Sequence, residues 1–440
     1  MLLEFKMRNY KSFKDETVFS LIPAPKQKDL EYSILHTAIG KKTYKGLCSA
    51  VIYGPNASGK TNIIGAMDTF KAIVLRGHIR NDEDSSMPNT AAVSLELIPN
   101  SAADEVSPVM FAIKFITDGV LIDYSLVIDL GTFLDVDYKR KIVSERLLVN
   151  ETPIFTRGEG LTIHDLSSIK EWLANEFEQN AESAIAIASA NLNAEELFLL
   201  NGFKTIFSAK LVSLITEWLN DKFMVIYRAD SMQLIRKFID PKKRSVYIEE
   251  PLNDVAKAFG ISSNTLGYII DNDNAEAKLC SIIKSGEKSA AIPAELFESY
   301  GTIRFTNLFP LVFIALANGG TLVVDEFDAS IHPMALMSIV NIFHNDDINT
   351  NHAQLVFNTH NPIFLSANLF RRDEIKFVER NDETHCSSSY ALSDFGTAGK
   401  NAVRKNEDYM RNYFVDRYGA IRDVDFLPIF EKLLGHKGEE

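Results

Sequence analysis

Residues 54–61 read Gly54-Pro55-Asn56-Ala57-Ser58-Gly59-Lys60-Thr61, followed by Asn62. The pattern G-x-x-x-x-G-K-[ST] is that of a phosphate-binding loop, and its flanks decide whether it is more than a pattern. Before it, Leu47 to Tyr53 is an apolar run short enough for a buried strand. After it, Thr61 to Arg76 carries Ile63, Ile64, Met67, Phe70, Ile73 and Val74 at helical spacing. Strand, glycine loop and helix in that order predict a nucleotide site; the alternative is a plain glycine-rich turn.

The residue types suit that chemistry. Gly54 and Gly59 let the backbone turn tightly and aim N–H groups at phosphate oxygens. The helix start adds partial positive charge. Lys60 is expected to reach the β- and γ-phosphates of ATP, and the Thr61 hydroxyl to hold Mg²⁺. The whole stretch Gly54 to Asn62 is the expected cofactor cradle.

A second apolar run, Thr321 to Val324, ends in Asp325-Glu326. With the phosphate loop in place, Asp325 is the expected Mg²⁺ carboxylate and Glu326 the group that polarises the attacking water. Taken alone, the pair is an ordinary solvated strand end. A third run, Gln354 to Thr359, ends in His360. Strand ends of a parallel sheet converge on one ligand crevice, so His360 is expected near the γ-phosphate as a catalytic or sensing group. Between the phosphate loop and the carboxylate pair lies Ser299-Tyr300-Gly301-Thr302, ahead of an apolar helix from Leu308 to Leu316. By local physics it is an ordinary helix cap.

Composition bounds the rest. The chain has 440 residues, 46% hydrophobic and 24% charged, which is globular. No apolar run approaches the roughly 18 residues of a membrane helix, and Met1 to Lys14 lacks the apolar core of a signal peptide. Cys48, Cys280 and Cys386 are widely spaced and odd in number, predicting a reducing, cytoplasmic setting without a disulfide or zinc framework. A net charge of −13 argues against a surface given over to nucleic acid. The basic clusters Lys139-Arg140-Lys141 and Lys242-Lys243-Arg244 leave local DNA contact open.

Along the chain, residues 2–21 alternate like a strand, and 23–45 reads as a loop or short hairpin. Strands are expected at Val93 to Ile98, Val109 to Ile116, Leu121 to Leu130 and Ile142 to Val149, with Asp118-Gly119 as a hairpin turn. Residues 164–224 turn helical: one amphipathic helix carries Ile169, Trp172, Leu173 and Phe177, and a long one runs from Leu197 to Leu219. A third helical region is expected from Leu252 to Ile283. No sustained heptads point to a coiled-coil arm. This divides the chain into an N-terminal lobe, 1–160, a mainly helical insertion, 161–290, and a C-terminal lobe, 291–440.

The order of these motifs resembles the ABC-type ATPases of the SMC and RecF kind. More closely it resembles the OLD, AbiL and RloA-like ATPases of prokaryotic defence systems. The likeness begins at Arg8-Asn9-Tyr10-Lys11-Ser12-Phe13. It continues through Asp325-Glu326-Phe327-Asp328-Ala329-Ser330-Ile331-His332-Pro333, Asn358 to Asn361, Arg371 to Val378 and Tyr413 to Ala420. It implies an α/β fold: a phosphate-loop ATPase head with a parallel sheet, helices, an antiparallel β-subdomain and a helical insertion. It also implies a head-to-head homodimer or higher homo-oligomer, with two ATPs held between the phosphate loop of one chain and Ser299, Gly301 and Thr302 of the other. Lys11 and Ser12 join the nucleotide site, Glu326 becomes the base, His360 the sensor, and Asp328 and His332 lie at the interface. Lys11 stands where relatives often carry arginine, and Ile421-Arg422 replaces a usual Ile-Pro. No glutamine of a Mg²⁺-contacting Q-loop stands out. No acidic cluster of a fused Toprim nuclease follows His360, so an effector is expected on a separate protein.

Two function classes follow. One is an ATPase whose nucleotide-driven dimerisation gates an effector in anti-phage defence. The other is a DNA-repair or clamp ATPase. A transporter subunit fits poorly with the 91–290 insertion, and a GTPase lacks the Asn-Lys-x-Asp motif.

Overall fold

In the computed structural model, Ser49–Tyr53 forms a strand (β1) with all five residues buried. A strand covered on both faces reads as a continuous apolar run, which is why periodicity alone did not distinguish its faces. The structure describes residues 1–440 except 26, 28–29, 81–94, 103–106, 132–137, 175–180, 229–235, 238–245, 249, 259–263, 271–275, 397–401, 405–406, 423 and 435–440. Beyond β1 the chain enters helix α1, Lys60–Arg76, closed at its C-terminus by Gly77, whose N–H donates to the Ile73 carbonyl.

The central sheet gathers β2 (Phe223–Ile226), helix α2 (Tyr300–Asn318) leading into β3 (Thr321–Val324), helix α3 (Pro333–Phe343) leading into β4 (Gln354–Asn358), then β5 (Ile375–Arg380) and β6 (Ser387–Ala391). Its order is β2-β3-β4-β1-β5-β6. All pairs are parallel except β5 with β6. Parallel neighbours put the C-terminal ends of β1, β2, β3 and β4 side by side, so the phosphate loop, Tyr227, Asp325 and Thr359 meet along one edge. Each buried Val, Leu or Phe of these strands contributes roughly 1.5–3 kcal/mol by leaving water.

Beside it stands a seven-stranded antiparallel sheet built from Leu2–Arg8, Thr17–Ser20 and five strands between Val109 and Ile163. The strands Val109–Thr117, Val120–Asp129 and Lys141–Val149 lie where alternation placed them, with Asp118 and Gly119 both at positive φ in the hairpin turn. Ile34–Ile39 and Lys42–Leu47 form a hairpin, one of the two alternatives expected for 23–45. The chain thus combines a mainly parallel sheet flanked by helices with an antiparallel β-subdomain, an α/β arrangement.

Several expectations are corrected. Residues 2–21 are two antiparallel strands around a turn, because Asn9 and Lys11 take positive φ and Tyr10 pairs with Phe13. Leu95–Ile98 is no strand: its backbone is tied to the Lys11 turn instead, with the Lys11 N–H donating to the Ile98 carbonyl at 2.8 Å. The helix from Leu197 to Leu219 is broken at Phe207-Ser208. Ser208 turns extended, caps the following helix at Leu211 N and donates to the Trp172 carbonyl at 2.5 Å. Ile169 and Trp172 lie on a short 3-10 turn, Ser167–Trp172, and Phe177 lies outside the described residues.

Among the described residues, the third helical region keeps Glu250–Ala258 as helix. Thr265–Ile270 and Glu276–Ser285 are antiparallel strands, followed by Lys288–Pro293. Leu266 and Tyr268 are buried at a spacing of two, a strand period that a helix cannot satisfy. With β2 also falling within it, the described residues of the stretch 161–290 mix helices with strands.

Among the described residues one helix, α2, is long and apolar enough to cross a membrane by length and composition. Its apolar run is longer than the stretch Leu308 to Leu316 suggested, because Tyr300–Phe305 extends the same helix. In this fold α2 packs on β3 and buries Arg304.

Candidate functional site

The phosphate loop is shaped by close approach. Gly54 sits at φ 159, and a Cβ there would meet the Val378 carbonyl oxygen of β5 at 2.2 Å. No larger residue fits without moving backbone. Lys60, 5% exposed, turns back over its own loop and donates to the carbonyls of Gly54 at 2.8 Å and Pro55 at 2.9 Å. Burial pushes its ammonium down to about 8, against the pull of Asp325, Glu326 and Asp328. Ser58 Oγ is buried on this loop and has no hydrogen-bond partner among the described residues. A cradle that excludes Cβ atoms, a buried lysine and an orphan hydroxyl fit a bound phosphate chain.

The loop is braced from outside. Ser12 Oγ accepts from Asn62 Nδ2 at 2.8 Å, and Ser387 of β6 donates to the Ser58 carbonyl at 2.5 Å. The Ser387 N–H donates to the Ser12 carbonyl at 2.7 Å. Ser12 thus abuts the loop, as the sequence placed it.

At the end of β3, Asp325 is 3% exposed and takes three donors: Thr61 Oγ1 at 3.0 Å, Asn358 Nδ2 at 2.6 Å and the Arg228 N–H at 3.3 Å. The structure therefore brings together Thr61 and Asp325, two residues predicted to hold Mg²⁺ from distant parts of the chain. A hydroxyl beside a carboxylate is an oxygen donor set suited to a hard cation. Glu326, exposed, sits at φ 51, its N–H held by Asn358 Oδ1 and its carbonyl by Arg304. Backbone held in the left-handed region by partners on two other elements sets where the side chain leaves the chain.

His360 follows β4. Burial of part of its ring, and then the Lys60 charge, hold its imidazole below the ordinary value. Thr359 donates to Asp328 Oδ2 at 2.6 Å, tying the β4 end to the segment after Glu326. His332 caps α3, accepting from the Met334 N–H at 3.3 Å.

Ser299 is the N-cap of α2. Its Oγ accepts from the Thr302 N–H at 3.1 Å and lies 2.8 Å from Thr302 Oγ1. These bonds stay within the helix's own first turn. Gly301 is required by contact: a Cβ there would sit 2.1 Å from the Ser330 carbonyl oxygen. The start of α2 is thereby pressed against the segment that follows Glu326.

Lys11 lies beside the site but bonds elsewhere: its ammonium pairs with Glu96 and approaches Tyr227 Oη at 3.2 Å. Four residues escaped the sequence reading. Asn358 clamps Asp325 and Glu326 together. Arg304 is buried, with Nε and Nη1 lacking partners among the described residues. Arg228 and Glu96 flank Asp325 and Lys11. Asn358 was readable from its place at a strand end; Arg228 was hidden because no strand was expected at Phe223–Ile226.

At the opposite end of the sheet, Cys48, His344 and Glu374 are buried together. Ser49 Oγ donates to Glu374 at 2.7 Å and lies 2.9 Å from His344 Nε2, which itself lies 3.2 Å from Glu374, so this polar cluster is satisfied internally. In the basic cluster at 139–141, Arg140 donates to the Ile79 carbonyl, while Lys139 and Lys141 are exposed and Lys139 lies 3.6 Å from Glu195. Lys242, Lys243 and Arg244 lie outside the described residues.

Fold and site together define a phosphate-loop nucleotide-binding head. Residues 49–366 match the family described as "AAA domain, putative AbiEii toxin, Type IV TA system", and the chain belongs to that family. Among solved structures, the SMC head domain from Thermotoga maritima matches at 13% identity and a TM-score of 0.36, covering 89% of this chain and 98% of that one. No curated protein matches.

Proposed function

We propose that the protein binds and hydrolyses ATP with Mg²⁺, dimerises head-to-head around the nucleotide, and so gates a separately encoded effector, a nuclease or toxin, in cytoplasmic anti-phage defence of the OLD, AbiL and RloA-like kind. The observation that carries the ATPase reading is the contact of Thr61 Oγ1 with Asp325 Oδ1 at 3.0 Å, directly after the Lys60 loop. Thr61 and Asp325 would hold Mg²⁺, which when bound would neutralise phosphate charge. Lys60 and the loop N–H groups orient the phosphates. Glu326, exposed and fixed at its backbone, accepts a proton from the attacking water. His360, kept neutral, reads the terminal phosphate.

The dimer reading rests on the placement of Ser299 and Gly301. Their helix start offers N–H groups, the Ser299 side chain bonds within its own turn, and Gly301 lies against the Ser330 carbonyl. In the proposed dimer it completes the site of the opposite chain. ATP then favours the closed pair because it gains contacts from both chains. Family membership agrees with a toxin-antitoxin or defence setting. The DNA-clamp alternative draws less on Arg140, which donates to the Ile79 carbonyl, than on the exposed Lys139 and Lys141.

The test is phosphate release from ATP by the parent, Lys60→Ala and Glu326→Gln proteins. Turnover in the parent and its loss in both variants are expected. Equal turnover in Glu326→Gln would overturn the assignment of the base.

A further inference from the structure

One carboxylate beside the proposed nucleotide site holds two cations. Glu96 Oε2 takes the Lys11 ammonium and the Tyr227 hydroxyl, the latter at 3.0 Å, and Glu96 Oε1 takes Arg228 Nη2 at 3.2 Å. Both cations stand next to phosphate-handling groups. Lys11 precedes Ser12, whose Oγ would lie 2.8 Å from a Cβ on Gly59. Arg228 gives its own N–H to Asp325 Oδ2. Tyr227 sits between them, with Lys11 Nζ 5.4 Å and the Arg228 guanidinium 5.0 Å from its ring centre, and its ring packs on Gly65 of α1.

The arrangement is tight on one side and loose on the other. The Lys11 and Glu96 side chains are each 13% exposed, while Arg228 is 49% exposed and leaves its backbone at φ 52. A left-handed arginine two residues past the strand end is a costly conformation that needs its surroundings to hold it. Arginine offers a planar fork suited to phosphate as well as to carboxylate.

We propose that Arg228 is a nucleotide-phosphate contact, and that Glu96 sets the affinity of the site by competing with phosphate for Lys11 and Arg228. This rests on the ATP-binding reading above. A carboxylate and a phosphate need the same donors, so each nucleotide bound must first draw these cations from Glu96. Removing the carboxylate's charge removes that cost and leaves both cations available. The competing description is a structural clamp, in which Glu96 only fastens residues 95–102 to the Lys11 turn.

The experiment is calorimetric titration of ATPγS with Mg²⁺ into the parent, Lys60→Ala, Glu96→Gln, Arg228→Ala and the Glu96→Gln/Arg228→Ala double variant. The expected result is tighter binding by Glu96→Gln, roughly three- to tenfold, the scale of two partly buried ion pairs lost. Arg228→Ala weakens binding by a similar factor, and the double variant shows a smaller gain from Glu96→Gln than the single one does. A gain of affinity cannot arise from misfolding. Should Glu96→Gln fail to fold, Glu96→Asp, which keeps the charge but shortens the reach to one cation, must still bind more tightly than the parent. Unchanged or weaker binding in the folded carboxylate variant overturns the proposal and leaves the clamp. If neither parent nor variants bind ATPγS, the ATP-binding reading itself falls, an outcome distinct from a parent that binds through Lys60 with no effect at Glu96.

Discussion

Asn358 shows how one residue sets the chemistry of two others. It donates to Asp325 and accepts from the Glu326 backbone, so the proposed metal carboxylate and the proposed base are held by one amide. Replacing it with alanine strands both partners, and turnover is expected to fall roughly 10–100-fold, the scale seen when groups that orient metal ligands are lost. Steady-state kinetics with retained ATPγS binding would show it; native turnover would remove Asn358 from the machinery. For Glu326→Gln, loss of a general base predicts a fall of roughly 10²–10⁴ in turnover with nucleotide still bound. His360 carries the pH signature. Partial burial and the Lys60 charge lower its imidazole, so it is neutral at pH 7 and gains charge only as pH falls through a midpoint below that of an exposed histidine. Lys60→Ala removes a positive neighbour, so the midpoint is expected to rise. Ring-proton NMR across pH reads both, and an unmoved midpoint would contradict the placement.

At the scale of elements, the start of α2 is the part whose role depends on what it touches. Gly301 lies against the Ser330 carbonyl, so Gly301→Ala is expected to push the 326–333 segment aside and cost roughly 1–3 kcal/mol of stability. Thermal unfolding measures the cost; an unchanged melt would show that the contact is slack. Ser299→Arg loses the N-cap bond to Thr302 but fills the outer face of the helix start, so ATP binding by the single chain is expected to persist while turnover is lost. The same elements show what a sequence discloses. β1, β3 and β4 were legible because short apolar runs end in chemistry-bearing residues, and the phosphate loop marks its own helix. β2 was not, because Phe223–Ile226 directly follows a helical turn and its apolar run is as short as a helix end. Thr265–Ser285 was misread for the same reason: apolar and polar residues at mixed spacing support either period until a partner strand selects one. The Glu96 pairing was beyond reach, since it joins residues from three separate segments and no local pattern announces it.

For the whole molecule, the parallel sheet supplies one composite edge and the antiparallel sheet braces it through the Lys11 and Ser12 turn. The exposed face around α2 carries Phe313, Ile314 and Tyr300, apolar groups that a paired head would cover. The proposed gate needs two heads because Ser299 and Gly301 are committed within their own chain to a helix start and not to the phosphate loop. The most direct measurement is mass photometry of the Glu326→Gln protein with and without ATP and Mg²⁺, since blocked turnover traps the closed form. The account predicts a shift from single chains to dimers or higher species only when ATP is present. A single chain under both conditions, with ATP shown to be bound, would contradict the nucleotide-driven dimer.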